Sequence, residues 1–187
     1  MRTMVLTGYK PMEMGIFKHD DPKVDFVKET IKKRLVQLIE EGLEWIILSG
    51  QMGVELWAAE VIVDLKEEYP IKLGVIPPFQ NQHSKWPDQL QLVYDKITEL
   101  ADFYKPIYEK EYEGPYQFRA RDQFLIEHSD GCMILYDEDT PGTPQYFLNL
   151  VQTYLEHHSY DLIYITPVDL EETVEELRMR NPEFWSQ

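Results

Sequence analysis

Apolar residues follow two different spacings along the chain. Short runs at residues 4–7, 45–48, 72–76, 131–136 and 162–165 are apolar apart from Thr7 and Lys72 at their ends. A strand covered on both faces has no position free for a polar residue, so these runs predict buried strands. Between them lie longer stretches whose apolar positions recur three and four apart. Val24, Val27, Ile31, Leu35 and Leu38 trace one stripe through residues 22–41, which predicts a helix with one covered face. Asp20 or Asp21 can cap it, Pro22 suits its first position, and Gly42 is its stop. Leu56, Ala59 and Val63 mark a helix over 54–68, ended by Tyr69-Pro70, and Leu92, Ile97 and Leu100 mark one over 88–101. Further helices are expected over 116–128, over 144–157 and from Pro167 onward. Residues 12–19 read as loop, and residues 103–115 as loop with one short strand.

Strands therefore alternate with helices. That order predicts an α/β three-layer sandwich, a mostly parallel sheet of about five strands with helices on both faces and right-handed crossovers. No linker divides the chain, so residues 1–187 are expected to form a single domain, with 181–187 as a frayed tail.

One stretch organises this pattern. The run ending at Leu48 is followed by the small turn Ser49-Gly50-Gln51-Met52-Gly53 and then by a helix. A helix start carries free N–H groups and a partial positive charge, which favour anions, phosphates above all. In an open parallel sheet, ligands bind outside the carboxyl ends of the strands, where the strand order reverses. The loops expected there span residues 7–11, 49–55, 77–80 and 137–143. Ser49, Gly50, Gln51 and Gly53 in one loop, and Gly142 and Thr143 in another, offer amides and hydroxyls at helix starts. Gly8 and Lys10 follow the first strand, with Gly8 free to take positive φ. Glu55, two residues past Gly53, is the best catalytic candidate: it is placed to take ribose hydroxyls or to act as an acid or base. Arg119 and Arg121 suit phosphate through paired N–H groups, with Asp122 and Gln123 beside them to read a base or ribose. Trp57, Tyr9 and Phe79 are candidates for stacking on a base. Each has a plainer alternative: glycines that permit tight turns, a carboxylate that suits a helix start, arginines in surface ion pairs, and aromatic rings in the core.

Composition narrows the classes. The formal net charge of −16 opposes non-specific binding to nucleic acid or an anionic membrane, so any anionic ligand must be held by local groups. The glycine loop lacks both the Gly-x-Gly-x-x-Gly dinucleotide fingerprint and the Gly-Lys-Ser/Thr of a P-loop. No Cys–His, Ser–His–Asp or metal-ligand spacing is present, and no metal is expected. Cys132, the only cysteine, sits in an apolar run and reads as a buried thiol. No run approaches the roughly 20 apolar residues of a membrane span, and a cytoplasmic protein without membrane insertion is expected.

Thr7-Gly8-Tyr9-Lys10-Pro11, Glu41-Gly42-Leu43-Glu44-Trp45, the long stretch from Ser49 through Glu60, and Ser129-Asp130-Gly131 together resemble the YpsA-like bacterial proteins over nearly the whole chain. That family belongs to the SLOG superfamily, with the DNA-processing protein DprA and the LOG nucleotide-processing enzymes. The resemblance implies a Rossmann-like fold, and its match to the DprA-type pattern implies that the glycine loop and Glu55 face the ligand. The LOG pattern Pro-Gly-Gly-x-Gly-Thr-x-x-Glu is not matched: Gln51 and Val54 depart from it, and no glutamate stands four residues after Gly53. The resemblance further implies a nucleotide or an NAD-derived ligand such as ADP-ribose, and a protein partner in bacterial cell division. Three functions are carried forward: a regulatory nucleotide-binding protein, a hydrolase cleaving an N-glycosidic or phosphoester bond, and a scaffold. The scaffold would use Trp57, residues 103–116 and the last helix for protein contacts.

Overall fold

The computed structural model describes residues 2–181; the rest of the expected frayed tail lies outside the described residues. Six strands, β1 (Thr3–Thr7), β2 (Trp45–Leu48), β3 (Lys72–Val75), β4 (Phe103–Tyr104), β5 (Gly131–Leu135) and β6 (Asp161–Ile165), alternate with six helices. The helices are α1 (Pro22–Glu40), α2 (Val54–Leu65), α3 (Asp88–Leu100), α4 (Tyr116–Glu127), α5 (Pro144–Leu155) and α6 (Pro167–Arg180). Every pairing is parallel, in the order β4-β3-β2-β1-β5-β6. The fold is a Rossmann-like three-layer sandwich. The strand beyond the expected five is β4, two residues at the sheet edge, within the stretch 103–115 expected to hold one short strand.

Side-chain alternation along the strands divides the interior in two. Met4, Leu6, Ile46, Leu48, Leu73 and Val75 face the layer that holds α1 and α2. Val5, Ile47, Cys132 and Ile134 face the other side, where Leu125 of α4 and Phe147, Leu148 and Val151 of α5 cover them. Helix α6 returns to the first layer, where Thr173 and Thr30 of α1 meet in a buried hydroxyl pair at 2.7 Å.

Local signals explain most helix boundaries. The Asp21 carboxylate accepts from Lys23 N at 2.9 Å and caps α1. The α2 helix stops at Leu65 rather than near residue 68, because the chain there turns through Lys66–Tyr69 ahead of Pro70. In α3 the expected stripe is only partly right: Ile97 is buried, with Tyr94, whereas Leu92 is 70% and Leu100 43% exposed. Residues 12–19 are not all irregular, since Pro11–Met14 form a 3-10 turn. No helix among the described residues is long and apolar enough to cross a membrane.

The strand order sets where a ligand can enter. From β1 the chain steps outward through β2, β3 and β4, then returns to the far side of β1 for β5. The order reverses between β1 and β5, and the loops above their carboxyl ends part there.

Candidate functional site

A cavity of about 480 Å³ opens at that point, within the range of small-molecule sites. Its floor is the end of β1, from Val5 to Gly8, with Leu125 and Phe147 beneath the flanking helices. One side is α4, through Phe118, Arg119, Arg121 and Asp122; the other is the start of α5, through Thr143, Pro144 and Tyr146. Ser49, Gln51 and Glu55 close it from the glycine loop, and Lys10 from the loop after β1.

The glycine loop is built from the inside by Glu55. Its side chain, 9% exposed, folds back from the first turn of α2. Oε1 accepts from Ser49 N at 2.8 Å and Gly50 N at 3.2 Å, and Oε2 accepts from Thr7 Oγ1 at 3.1 Å. Two amides expected to meet a ligand are therefore already satisfied by the chain's own carboxylate. Burial pushes the Glu55 carboxyl above its ordinary 4.5, against the pull of the Arg121 guanidinium, the Ser49 amide and the Thr7 hydroxyl. Arg121 donates from Nε and Nη2 to Asp122 Oδ1 at 2.8 Å each, and Nη1 reaches Ser49 Oγ at 3.4 Å. Burial also raises the Asp122 carboxyl, with Arg121 opposing. A buried carboxyl group, Glu55, and a partly buried one, Asp122, thus lie in the field of one guanidinium at the cavity wall. Arg119 is exposed, and its side chain makes no ion pair or hydrogen bond among the described residues.

The second expected anion site is likewise filled from within. At the start of α5, Thr143 donates its N–H to Glu13 Oε1 and its hydroxyl to Glu13 Oε2, both at 2.8 Å, and Lys10 N also donates to Oε2 at 2.8 Å. Burial works to raise the Glu13 carboxyl, but the Lys10 and Thr143 amides and the Thr143 hydroxyl outweigh it and hold it below 4.5. Sequence reasoning missed Glu13. Its position three residues after Lys10, behind Pro11, is a local turn signal; its partnership with Thr143, 130 positions on, has none.

Of the twelve expected site residues, the cavity gathers Gly8, Lys10, Ser49, Gln51, Glu55, Arg119, Arg121 and Thr143. Gly50, Gly53, Gly142 and Trp57 lie off its wall. Gly53 takes φ +95°, and a Cβ there would stand 2.3 Å from Tyr9 O, so the residue joins the loop after β1 to the start of α2. Gly142 serves its turn at φ +53°. Gly8 does not use its freedom to take positive φ; its need is space, since a Cβ would lie 2.7 Å from Val54 Cγ1. Trp57 is 4% exposed within the α1–α2 core, which also withdraws it as a protein-contact residue. Tyr9 is buried, its hydroxyl donating to Thr140 O at 2.6 Å and accepting from Asp137 N at 2.8 Å. Phe79 packs on Tyr112 and Phe118 with ring centroids 5.3 and 5.7 Å away. Cys132 is fully buried, and burial raises its thiol.

Comparison with known proteins gives consistent matches. The family model described as the YspA SLOG family matches residues 4–170. A UPF0398 protein of Oceanobacillus iheyensis is 52% identical over 99% of this chain and 100% of its own. The UPF0398 protein YpsA of Bacillus subtilis is 45% identical over 94% of this chain and 98% of its own. A UPF0398 protein of Staphylococcus haemolyticus is 46% identical over 86% of each chain.

Proposed function

The chain belongs to the YpsA family of SLOG proteins, and from that membership together with the cavity we propose that it binds a small nucleotide-like, phosphate-bearing ligand in a regulatory role. The observation that carries the reading is convergence. Lys10, Arg119 and Arg121 come from two separate segments to one cavity at the switch point of the sheet. They do so in a chain whose formal charge is −16, where long-range electrostatics repel an anion. Arg119 and Lys10 receive the phosphate. Arg121 is already held by Asp122 and adds field rather than a first contact.

The test is a thermal-shift and calorimetric titration with nucleoside monophosphates, NAD and ADP-ribose. A ligand at about a hundred times its Kd stabilises the fold by about 2.7 kcal/mol, a shift that is readily measured. Arg119→Ala is expected to weaken binding about tenfold or more, the scale of one charge-assisted contact, without lowering the melting temperature. If none of these ligands shifts the melting temperature at millimolar concentration, the reading falls.

A second reading has its own support in Glu55 and Asp122, a buried and a partly buried carboxyl group with raised affinity for protons near Arg121. Such a pair suits proton transfer during hydrolysis of an N-glycosidic or phosphoester bond. Chromatography of nucleoside monophosphates after incubation decides it. Product that forms with the wild type and disappears in Glu55→Gln supports hydrolysis, and no product removes it.

A further inference from the structure

Tyr146 stands on the first turn of α5, lines the cavity and is 76% exposed. No other tyrosine among the described residues is as exposed. Its ring has no aromatic contact and its hydroxyl no hydrogen bond among those residues. The aromatic residue across the cavity differs: Phe118 is engaged by Phe79, by Tyr112 at 5.7 Å and by the Arg121 guanidinium at 5.4 Å. An apolar ring left in water beside a concave site, on a helix that already fixes its backbone, is a surface prepared for a flat partner. A tyrosine gives up few rotamers on stacking, so the contact is cheap in entropy.

The rest of the wall agrees in character. Pro115 and Phe118 on the α4 side and Pro144 and Phe147 on the α5 side are apolar, and Lys10, Arg119 and Arg121 supply the cations. A sugar phosphate would satisfy the cations and leave Tyr146 in water. An aromatic group without phosphate would leave the cations unused. A ligand that carries both an anionic group and a planar ring uses both kinds of lining.

We propose that Tyr146 is a specificity-determining residue of this cavity, stacking on the base of a nucleoside phosphate. The inference rests on the ligand-binding reading above and adds to it the ligand's aromatic end. It is tested by isothermal titration of wild type, Tyr146→Ala and Tyr146→Phe with AMP, GMP, CMP and UMP, and with ribose 5-phosphate as the baseless probe. Tyr146→Ala is expected to weaken the nucleotides that bind by about fivefold to a hundredfold, the range for removing a base-stacking aromatic. Ribose 5-phosphate is expected to be unaffected, and Tyr146→Phe to bind as wild type does, because it keeps the ring. Unchanged nucleotide affinity in Tyr146→Ala overturns the stacking role while leaving the cavity reading in place. An equal loss for ribose 5-phosphate also overturns it, since Tyr146 would then shape the phosphate end. If wild type binds neither nucleotides nor ribose 5-phosphate, the cavity reading fails and this inference with it.

Discussion

Replacing Glu55 separates the two roles its carboxyl can play, an acceptor that builds the loop and a charge that faces the cavity. In Glu55→Ala, Ser49 N and Gly50 N lose their common acceptor in a buried setting. Each buried donor left unpaired costs about 1–3 kcal/mol. The Gly50 contact, at 3.2 Å, belongs to the low end of that range and the Ser49 contact, at 2.8 Å, nearer the middle. The Thr7 hydroxyl lines the cavity and regains a water, so it adds little. A loss of about 2–4 kcal/mol is expected, a large share of a typical domain's stability. In Glu55→Gln one oxygen still accepts both amides, and the Thr7 hydroxyl can rotate to accept from the new NH₂ group. The loss is then below about 1 kcal/mol. The pH dependence has a definite sign. Folding raises the Glu55 carboxyl above 4.5, so its contribution is fully present below that value and is lost as pH rises through the folded one. The amide of Glu55→Gln does not titrate and has no such loss. The stability difference therefore moves in favour of Glu55→Gln as pH goes from about 4 to about 8. Urea unfolding at several pH values reads both effects. If Glu55→Gln is as unstable as Glu55→Ala, the charge rather than the acceptor holds the loop; if Glu55→Ala matches wild type, the glycine loop does not depend on Glu55.

Other substitutions probe the same construction. Gly53→Ala forces a Cβ to 2.3 Å from Tyr9 O at φ +95° and is expected to prevent folding or cost about 3 kcal/mol or more, whereas Gly42→Ala, at φ +112° with nothing within 4 Å, is expected to cost only about 1 kcal/mol by thermal melting. Glu13→Gln is expected to destabilise by about 1–2 kcal/mol at neutral pH. Folding lowers the Glu13 carboxyl below 4.5, so its contribution exists above that value and fades as pH falls; the difference between the proteins is expected to shrink in acid. Cys132, fully buried with a raised thiol, is expected to resist a thiol reagent in the native protein and to react only on unfolding.

Much of the fold is legible in the sequence because its signals are local. Residues 45–48 are apolar without interruption because β2 is covered on both faces, and Val24 through Leu38 keep helical spacing because only one side of α1 is buried. The two-residue β4 is legible only as one short strand somewhere in residues 103–115, because pairing with β3, not its own composition, fixes it at Phe103–Tyr104. Leu92 reads as core by its apolar character, yet α3 turns it outward and buries Tyr94 instead. Trp57 reads as a ligand or partner residue because it follows the glycine loop, but α2 presents it to α1.

The glycine loop shows where the division falls. From the chain alone follow a strand, a tight turn and a helix at residues 45–65, and with them a helix start of positive potential that needs a negative partner. Tertiary structure decided which partners came: Glu55 for the amides of Ser49 and Gly50, and Glu13, brought across from the loop after β1, for Thr143. It also decided that Arg119, Arg121 and Tyr146, far from that loop in sequence, line the same cavity. Backbone geometry and apolar spacing are set by neighbours a few residues apart and leave a periodic trace in the sequence. Which carboxylate neutralises which helix start depends on how the layers stack, and 130 residues of separation leave no trace at either end.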